Sequence, residues 1–268
     1  MKKIDSYEEY EALIAPHINK RFQTNNFMTK DSIRDEISAD TLYASEFEGG
    51  IYLFKKRDGY FRLSFYIEDE FFSSANTKAT CVAFPENTVA EIARRAGDSM
   101  LESVSQYLQT LGFERLFGRK RLRRKAAPFS REIKSHVAFA SPNDADAIFE
   151  IMASSFHPLA GCLPTEHELS RDIAESHIVC AKSSDGEVMG ILHFAETGSA
   201  STEIRHLAVR EKYKRLGSAS DMASFYISNT ENKRSTVWAK EDNFPALAFY
   251  EKNGYSESGT ISDVLIRK

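Results

Sequence analysis

The chain has 268 residues, room for two domains of ordinary size, since domains usually run about 100 to 150 residues. Its 42% hydrophobic, 12% aromatic and 28% charged content is that of a folded globular protein and excludes a disordered or fibrous one. A net charge of −4 gives no global attraction to nucleic acid or an anionic membrane, and no apolar run is long enough to span a bilayer. The amino-terminal MKKIDSYEEYEAL turns acidic where a secretory signal would be apolar, so the expected location is cytoplasmic, with no membrane or nucleic-acid partner. The three cysteines, Cys81, Cys162 and Cys180, are odd in number, widely spaced and in no metal or redox motif, and they read as buried free thiols.

In chain order, residues 6–20 and 30–37 are predicted helical. Residues 51–54 and 60–67 are rich in aromatic and branched side chains and read as a hairpin turning at Asp58-Gly59. A short strand is expected at 79–84, a helix at 98–111, and then a charged strand through Arg119-Lys120-Arg121-Leu122-Arg123-Arg124-Lys125. That basic run fits a phosphate or acidic-partner site, but the solvated face of an edge strand is the preferred explanation. Pro128 marks residues 125–132 as a linker, dividing the chain into domains 1–128 and 129–268.

The second domain opens with a strand at 137–140. Ser141-Pro142-Asn143-Asp144 then announces a helix to residue 156, and Thr165 with Glu168 forms a capping box for a helix over 165–176. A hairpin of 178–182 and 188–195 turns at Ser184-Asp185-Gly186, and a strand follows at 202–209. A helix at 217–230, a strand at 235–239, a helix at 245–253 and strands near Tyr255 and Val264 complete the order. The expected class is α/β, or layered α+β: a mixed, mostly antiparallel sheet flanked by helices.

The stretch from Thr202 to Ser220 carries the chemistry. A strand leads through a short loop into a helix that starts Gly217-Ser218-Ala219-Ser220. Small residues let the backbone approach a ligand, and a helix start offers unpaired N–H groups and the positive end of the dipole, which suits a pyrophosphate. An ordinary capped helix on a core strand is the alternative. Leu207-Ala208-Val209 followed by Lys214-Arg215-Leu216-Gly217-Ser218-Ala219 resembles motif A of the GCN5-related N-acetyltransferases, although Lys214 stands where that family has Arg or Gln. The segment Val237-Trp238-Ala239-Lys240-Glu241-Asp242-Asn243-Phe244-Pro245 through Phe249-Tyr250-Glu251-Lys252-Asn253-Gly254-Tyr255 resembles motif B of the same family.

The resemblance implies the acyl-CoA N-acyltransferase fold and acetyl-CoA as cosubstrate with no metal. The activity it implies is transfer of an acetyl group to a primary amine of a small molecule or peptide by direct attack. It implies that the pyrophosphate meets Lys214, Arg215, Leu216, Gly217, Ser218, Ala219 and Ser220, and that the N–H groups around Leu207, Ala208 and Val209 polarise the thioester carbonyl. Asn243 would bond the pantetheine arm or phosphate region, and Tyr250 would lie near the sulfur as the proton donor. Thr202-Glu203-Ile204 resembles the Ala-Glu-Ile of the histone-acetyltransferase branch, making Glu203 the first candidate base, with Glu196, His206, Glu241 and a water chain as rivals. His206 is otherwise a lining or core residue; His157, His167 and His177 are unassigned.

Tyr107-Leu108-Gln109-Thr110-Leu111-Gly112-Phe113 mirrors the end of motif B, so the first half reads as a degenerate copy of the same module, lacking the pyrophosphate loop and the acid. Walling the cleft, docking a partner or covering the sheet are its expected tasks; a coincidental α+β domain is the alternative. Two other functions fit the sequence: transfer from a carrier-bound or tRNA-bound acyl donor, in which the basic run meets phosphates, and a non-catalytic acyl-CoA sensor.

Overall fold

The computed structural model describes residues 1–73, 83–128 and 131–268, and divides into one unit of Met1–Arg119 with Gly259–Lys268 and a second of Lys120–Ser258. The expected boundary lies at 128/129. The structural division falls instead at 119/120 and 258/259, so the last ten residues belong to the first unit.

The first unit contains β1 (Lys2–Lys3), α1 (Tyr7–Ile18), β2 (Phe22–Thr24), α2 (Lys30–Ser38), β3 (Leu42–Phe47), β4 (Gly50–Arg57), β5 (Tyr60–Glu68), α3 (Asp69–Ser73), β6 (Thr88–Arg95) and α4 (Ser99–Thr110). Then β7 (Glu114–Arg124) leads into the second unit. Ser6 caps α1 by accepting from the Glu9 N–H, and Thr29 caps α2 by accepting from the Ser32 N–H. The predicted hairpin is β4 and β5, paired from Gly50↔Ile67 to Arg57↔Tyr60 around Gly59 at φ 73°. Both faces of β4 are covered: Tyr52 and Phe54 enter an aromatic core with Phe65, Tyr107, Leu108 and Phe113, while Ile51 and Leu53 pack with Ile14 and Ile33. Burial on both sides explains why this strand reads as an unbroken apolar run.

Of the strand expected at 79–84, residues 79–82 lie outside the described residues and 83–84 form no strand. The sequence pattern missed β1, β2, β3 and β6; in β6 the charges of Glu91, Arg94 and Arg95 mask the apolar alternation of Ala90 and Ile92. Glu91 is held by Arg119, whose Nη1 donates to both carboxylate oxygens at 2.9 Å, and by the Ser262 hydroxyl at 2.8 Å.

The second unit contains β8 (Val137–Phe139), α5 (Ala145–Ser155), α6 (Glu166–Ala174), β9 (Ile178–Lys182), β10 (Val188–Glu196), β11 (Ser201–Val209), α7 (Ser218–Asn229), β12 (Arg234–Lys240) and α8 (Phe244–Lys252). The final strand, β13 (Ser256–Arg267), starts there and ends in the first unit. The two strands expected near Tyr255 and Val264 are thus one, and residues 260–267 pair with β6 from Thr260↔Arg95 to Arg267↔Thr88. Within the second unit the strand order is β7-β12-β11-β10-β9-β8. Helices α5 and α6 cover one face with Ile148, Ile151, Leu169 and Ile173; α7 and α8 cover the other with Met222, Tyr226, Ile227 and Tyr250. The expected capping box at Thr165/Glu168 is formed, and Ser141 with Asp144 forms a second one at the helix start expected there.

The basic run does not form an edge strand. β7 lies between β12 and β13, with Lys120 paired to Glu257 at 2.7 Å, Arg121 over the Trp238 ring at 5.8 Å, and Leu122 and Arg124 buried. Carboxylate and aromatic partners from neighbouring strands absorb charges that in isolation look solvated. Cys180 is buried and burial pushes its thiol up to about 12; Cys162 is half-buried rather than buried, neither is in a disulfide, and Cys81 lies outside the described residues. Among the described residues no helix is long and apolar enough to cross a membrane.

The internal repeat is visible in the topology. In each unit three antiparallel strands (β3-β4-β5 and β9-β10-β11) are followed by a parallel pairing, β5 with β6 and β11 with β12. The helix that follows the parallel partner stops at a left-handed glycine, Gly112 at φ 87° and Gly254 at φ 83°. Leu265 of β13 is fully buried in the aromatic core of the first unit. Leu265→Ala should therefore cost about 2–5 kcal/mol in chemical denaturation, and an unchanged midpoint would remove β13 from that core.

Candidate functional site

The site is organised by an irregularity in β11. Its pairing with β10 runs His193↔His206 and then Phe194↔Ile204, so Arg205 is an extra residue, a β-bulge. A bulge of one residue reverses the faces on either side of it. Before it, Thr202 and Ile204 point to the α7 face; after it, His206 and Ala208 point to the α5–α6 face, with Leu207 and Val209 toward α7. Glu203, opposite Ala195, therefore shares the α5–α6 face with His206.

On its other side β11 pairs in parallel with β12 only from Ser201↔Arg234 to Ile204↔Val237. From the bulge onward that ladder ends, leaving the backbone of Leu207, Ala208 and Val209 along an opening gap. The chain then passes through a 3-10 turn at Glu211–Tyr213 to Gly217, the N-cap of α7. Gly217 has φ 94° and Arg215 has φ 66°, two left-handed residues in three, a backbone that turns successive N–H groups to one side. No side chain caps α7, and among the described residues no backbone acceptor meets the N–H groups of Arg215 to Ser220. Arg215 and residues 217–220 line a pocket of about 320 Å³ with Val209, Tyr213 and Lys214. Orphan amides, helix dipole and open space are what an anion needs at a helix start. Lys214 is paired with Glu211 at 2.6 Å; Leu216 is 68% exposed, so no core contact explains it.

The paired start of β11 and β12 is fastened to α7 by a buried chain of hydroxyls: Thr202 Oγ1 to Tyr226 Oη at 2.6 Å, on to Ser235 Oγ at 2.7 Å and to Tyr255 Oη at 2.6 Å. Burial raises the phenols of Tyr226 and Tyr255. Tyr250, on α8, is 6% exposed and packs edge-on against Tyr255 at 5.4 Å; burial raises its phenol too, keeping it protonated across the physiological range. Asn243 caps α8, its Oδ1 accepting from the Ala246 N–H at 3.2 Å, which leaves its amide donors available. Phe249 and Tyr255 belong to the core as expected.

The rival bases are placed differently. Glu196 is paired with Lys233, which holds its carboxyl below the usual range, and Glu241 is exposed beyond β12. His206 is 2% exposed and belongs to a chain the sequence did not reveal: Asp172 Oδ2 to His193 Nε2 at 3.0 Å, His193 Nδ1 to His206 Nδ1 at 3.0 Å, and His206 Nε2 to the Gly161 carbonyl at 2.8 Å. A signal was present, since Asp172 lies between Leu169 and Ile173 on the apolar stripe of α6 and His193 between Leu192 and Phe194 on a core strand. Of the unassigned histidines, His157 Nδ1 accepts from the N–H groups of Leu159 and Ala160, and His177 lies 3.3 Å from Glu175. Asp172, Glu175 and His177 converge within 4.8 Å, but each already has a protein partner.

Residues 145–255 match the model of the acetyltransferase (GNAT) family. Among solved structures the chain is similar to an acetyltransferase from the GNAT family from Colwellia psychrerythraea, with TM-score 0.59 and 13% identity over 99% of this chain and 98% of that one. A GCN5-related N-acetyltransferase from Sphaerobacter thermophilus gives 0.57 and 12% over 82% and 80%. A tandem GNAT protein from the clavulanic acid biosynthesis pathway gives 0.51 and 11% over 81% and 78%. At such identities the likeness is one of fold, and it extends over both units. No curated protein matches the sequence.

Tyr226→Phe would strip the central member from the hydroxyl chain and leave Thr202 and Ser235 facing a ring edge. A loss of about 1–3 kcal/mol is expected in denaturant titration, and a neutral substitution would show that the chain does not hold the strands.

Proposed function

We propose that this chain, whose residues 145–255 match the model of the acetyltransferase (GNAT) family, transfers an acetyl group from acetyl-CoA to a primary amine of a small molecule or peptide in the cytoplasm. In this proposal the C-terminal unit is catalytic and the N-terminal unit is an accessory copy. One observation carries the proposal: the β11–β12 ladder opens immediately before a helix start that has no cap and two left-handed residues.

Acetyl-CoA supplies an activated acetyl thioester. The amides of Arg215 to Ser220 receive its pyrophosphate, with Lys214 and Arg215 adding positive charge around them. The amides of Leu207 to Val209 along the gap polarise the thioester carbonyl, acting in the manner of an oxyanion hole. Asn243 offers its free amide to the pantetheine arm or the phosphates. Glu203 takes the proton from the attacking amine, directly or through water, and Tyr250 gives its proton to the departing thiolate. The raised phenol suits that role, because the group holds its proton until a strong base appears beside it.

Transfer from a tRNA-bound or carrier-bound donor draws its support from a free basic run, and Arg119 and Lys120 are already paired with Glu91 and Glu257. A non-catalytic sensor would bind acetyl-CoA with no release of thiol on any member of an amine panel, and that outcome would replace the enzymatic proposal.

Two substitutions test the site. At Gly217 a side chain faces φ 94°, and Gly217→Glu adds a carboxylate among the anion-binding amides; calorimetry should show acetyl-CoA affinity lost, and unchanged affinity would refute the pyrophosphate site. Tyr250→Phe removes only a hydroxyl, so acetyl-CoA binding should persist while kcat and kcat/KM fall together by about a hundred- to ten-thousand-fold. Full kcat in that variant would demote Tyr250 to packing.

A further inference from the structure

The buried chain from Asp172 to Gly161 has a proton count that its geometry fixes. An ionised carboxylate and a peptide carbonyl only accept hydrogen bonds. With Asp172 at one end and the Gly161 carbonyl at the other, the three contacts at 3.0, 3.0 and 2.8 Å need three protons. Two neutral imidazoles supply two, one on His193 Nε2 and one on His206 Nε2. Their Nδ1 atoms would then face each other at 3.0 Å as two lone pairs, a repulsive arrangement. The rings are inclined by only 16°, close to the common plane that a bond between ring nitrogens requires.

We propose that Asp172, His193 and His206 hold one shared proton beyond two neutral imidazoles, forming a chain of zero net charge that clamps the loop at Gly161 onto β11 and so positions the wall of the acyl-transfer gap. This rests on reading that gap as the site of acetyl transfer. The Asp172 carboxylate balances the extra proton, which is how a buried imidazolium is tolerated. Burial opposes ionisation of Asp172, and the His193 bond overrides it and holds the carboxyl below its ordinary value. Burial likewise keeps His193 below its own ordinary value despite Asp172.

The loop is built to present that carbonyl. The Gly161 N–H donates to the His157 carbonyl at 2.7 Å, and Cys162 is left-handed at φ 55°. A Cβ on Gly161 would stand 2.6 Å from the His157 carbonyl oxygen. The Phe156 ring packs edge-on against His206 at 4.7 Å, so His206 holds the loop at two points. His206 is the first residue after the bulge and Glu203 shares its face, so the clamped loop borders the stretch where β11 leaves β12. Asp172, His193 and His206 are thus positioning residues that act through the loop.

The clamp exists at one protonation level only. Losing the shared proton as pH rises sets two lone pairs against each other; gaining another as pH falls sets two N–H groups against each other. Either change opens the His193–His206 bond, so loop closure should be bell-shaped in pH. The charged and titratable groups acting on the chain are Arg171 on α6, Arg205 at the bulge and His177 before β9, with Glu203 on the same face of β11; they set where the limbs fall.

The test is nitrogen-15 histidine NMR of the full chain across pH, followed by kinetics on whichever amine the panel identifies. Near neutral pH the His193–His206 pair should show three ring N–H protons, one ring carrying two, and Asp172→Asn should remove one of them. Two ring protons in the unmodified protein would overturn the proposal, and this measurement needs no variant to fold and no amine to react. Failure of acetyl transfer on every amine with three protons present would sink the assigned function and leave the proton count standing. His206→Gln can place an amide donor near the Nε2 position, toward Gly161, without titrating. It should flatten the pH profile of acceptor KM, while Asp172→Asn should lower kcat/KM for the acceptor by about a hundredfold. Acceptor KM with unchanged pH dependence in both variants would overturn the positioning role.

Discussion

The extra residue at Arg205 is the constraint on which the second unit depends. Backbone groups along a strand edge need partners, and β11 meets those of β12 along its first half but not along its second. The bulge marks the change. It preserves the antiparallel ladder with β10, ends the parallel ladder with β12, and brings Glu203 and His206 to one face. A regular strand would place Glu203 and His206 on opposite faces, because side chains an odd number of residues apart alternate.

The two sides of that gap are electrostatically unlike. Toward α7 the backbone presents uncompensated N–H groups at the positive end of a helix dipole, with surface cations whose individual ion pairs are worth little. Toward α6 a deeply buried carboxylate and two histidines meet in one chain, and burial makes each of their protons expensive to misplace. The hydroxyl chain through Tyr226 keeps the paired ends of β11 and β12 together, so the opening is confined to the residues beyond Ile204.

Both units solve the same topological problem with different chemistry. A parallel pairing and a helix closed by a left-handed glycine occur in each, yet Leu108 and Tyr107 in the first unit pack into an aromatic core that fills the space behind its strands. Exchange of the chain ends through β7 and β13 gives the first unit a buried strand from the far end of the sequence, with Leu265 fully covered.

Local signals determined most elements by themselves. The capping boxes at Ser141 and Thr165, the turns at Asp58-Gly59 and Ser184-Asp185-Gly186, and the left-handed stops at Gly112 and Gly254 involve residues a few positions apart, so their physics is complete within a short window. The helix starts at Gly217 and Asn243 were legible for the same reason. What only the tertiary structure decided involves partners distant in sequence. The interior position of the basic run depends on Glu91, Glu257 and Trp238. The assignment of β13 to the first unit depends on β6, and the bulge at Arg205 depends on the register against β10. The Asp172–His193–His206 chain joins a helix, two strands and a loop, and no local propensity encodes a hydrogen bond between side chains that meet only after the sheet has formed.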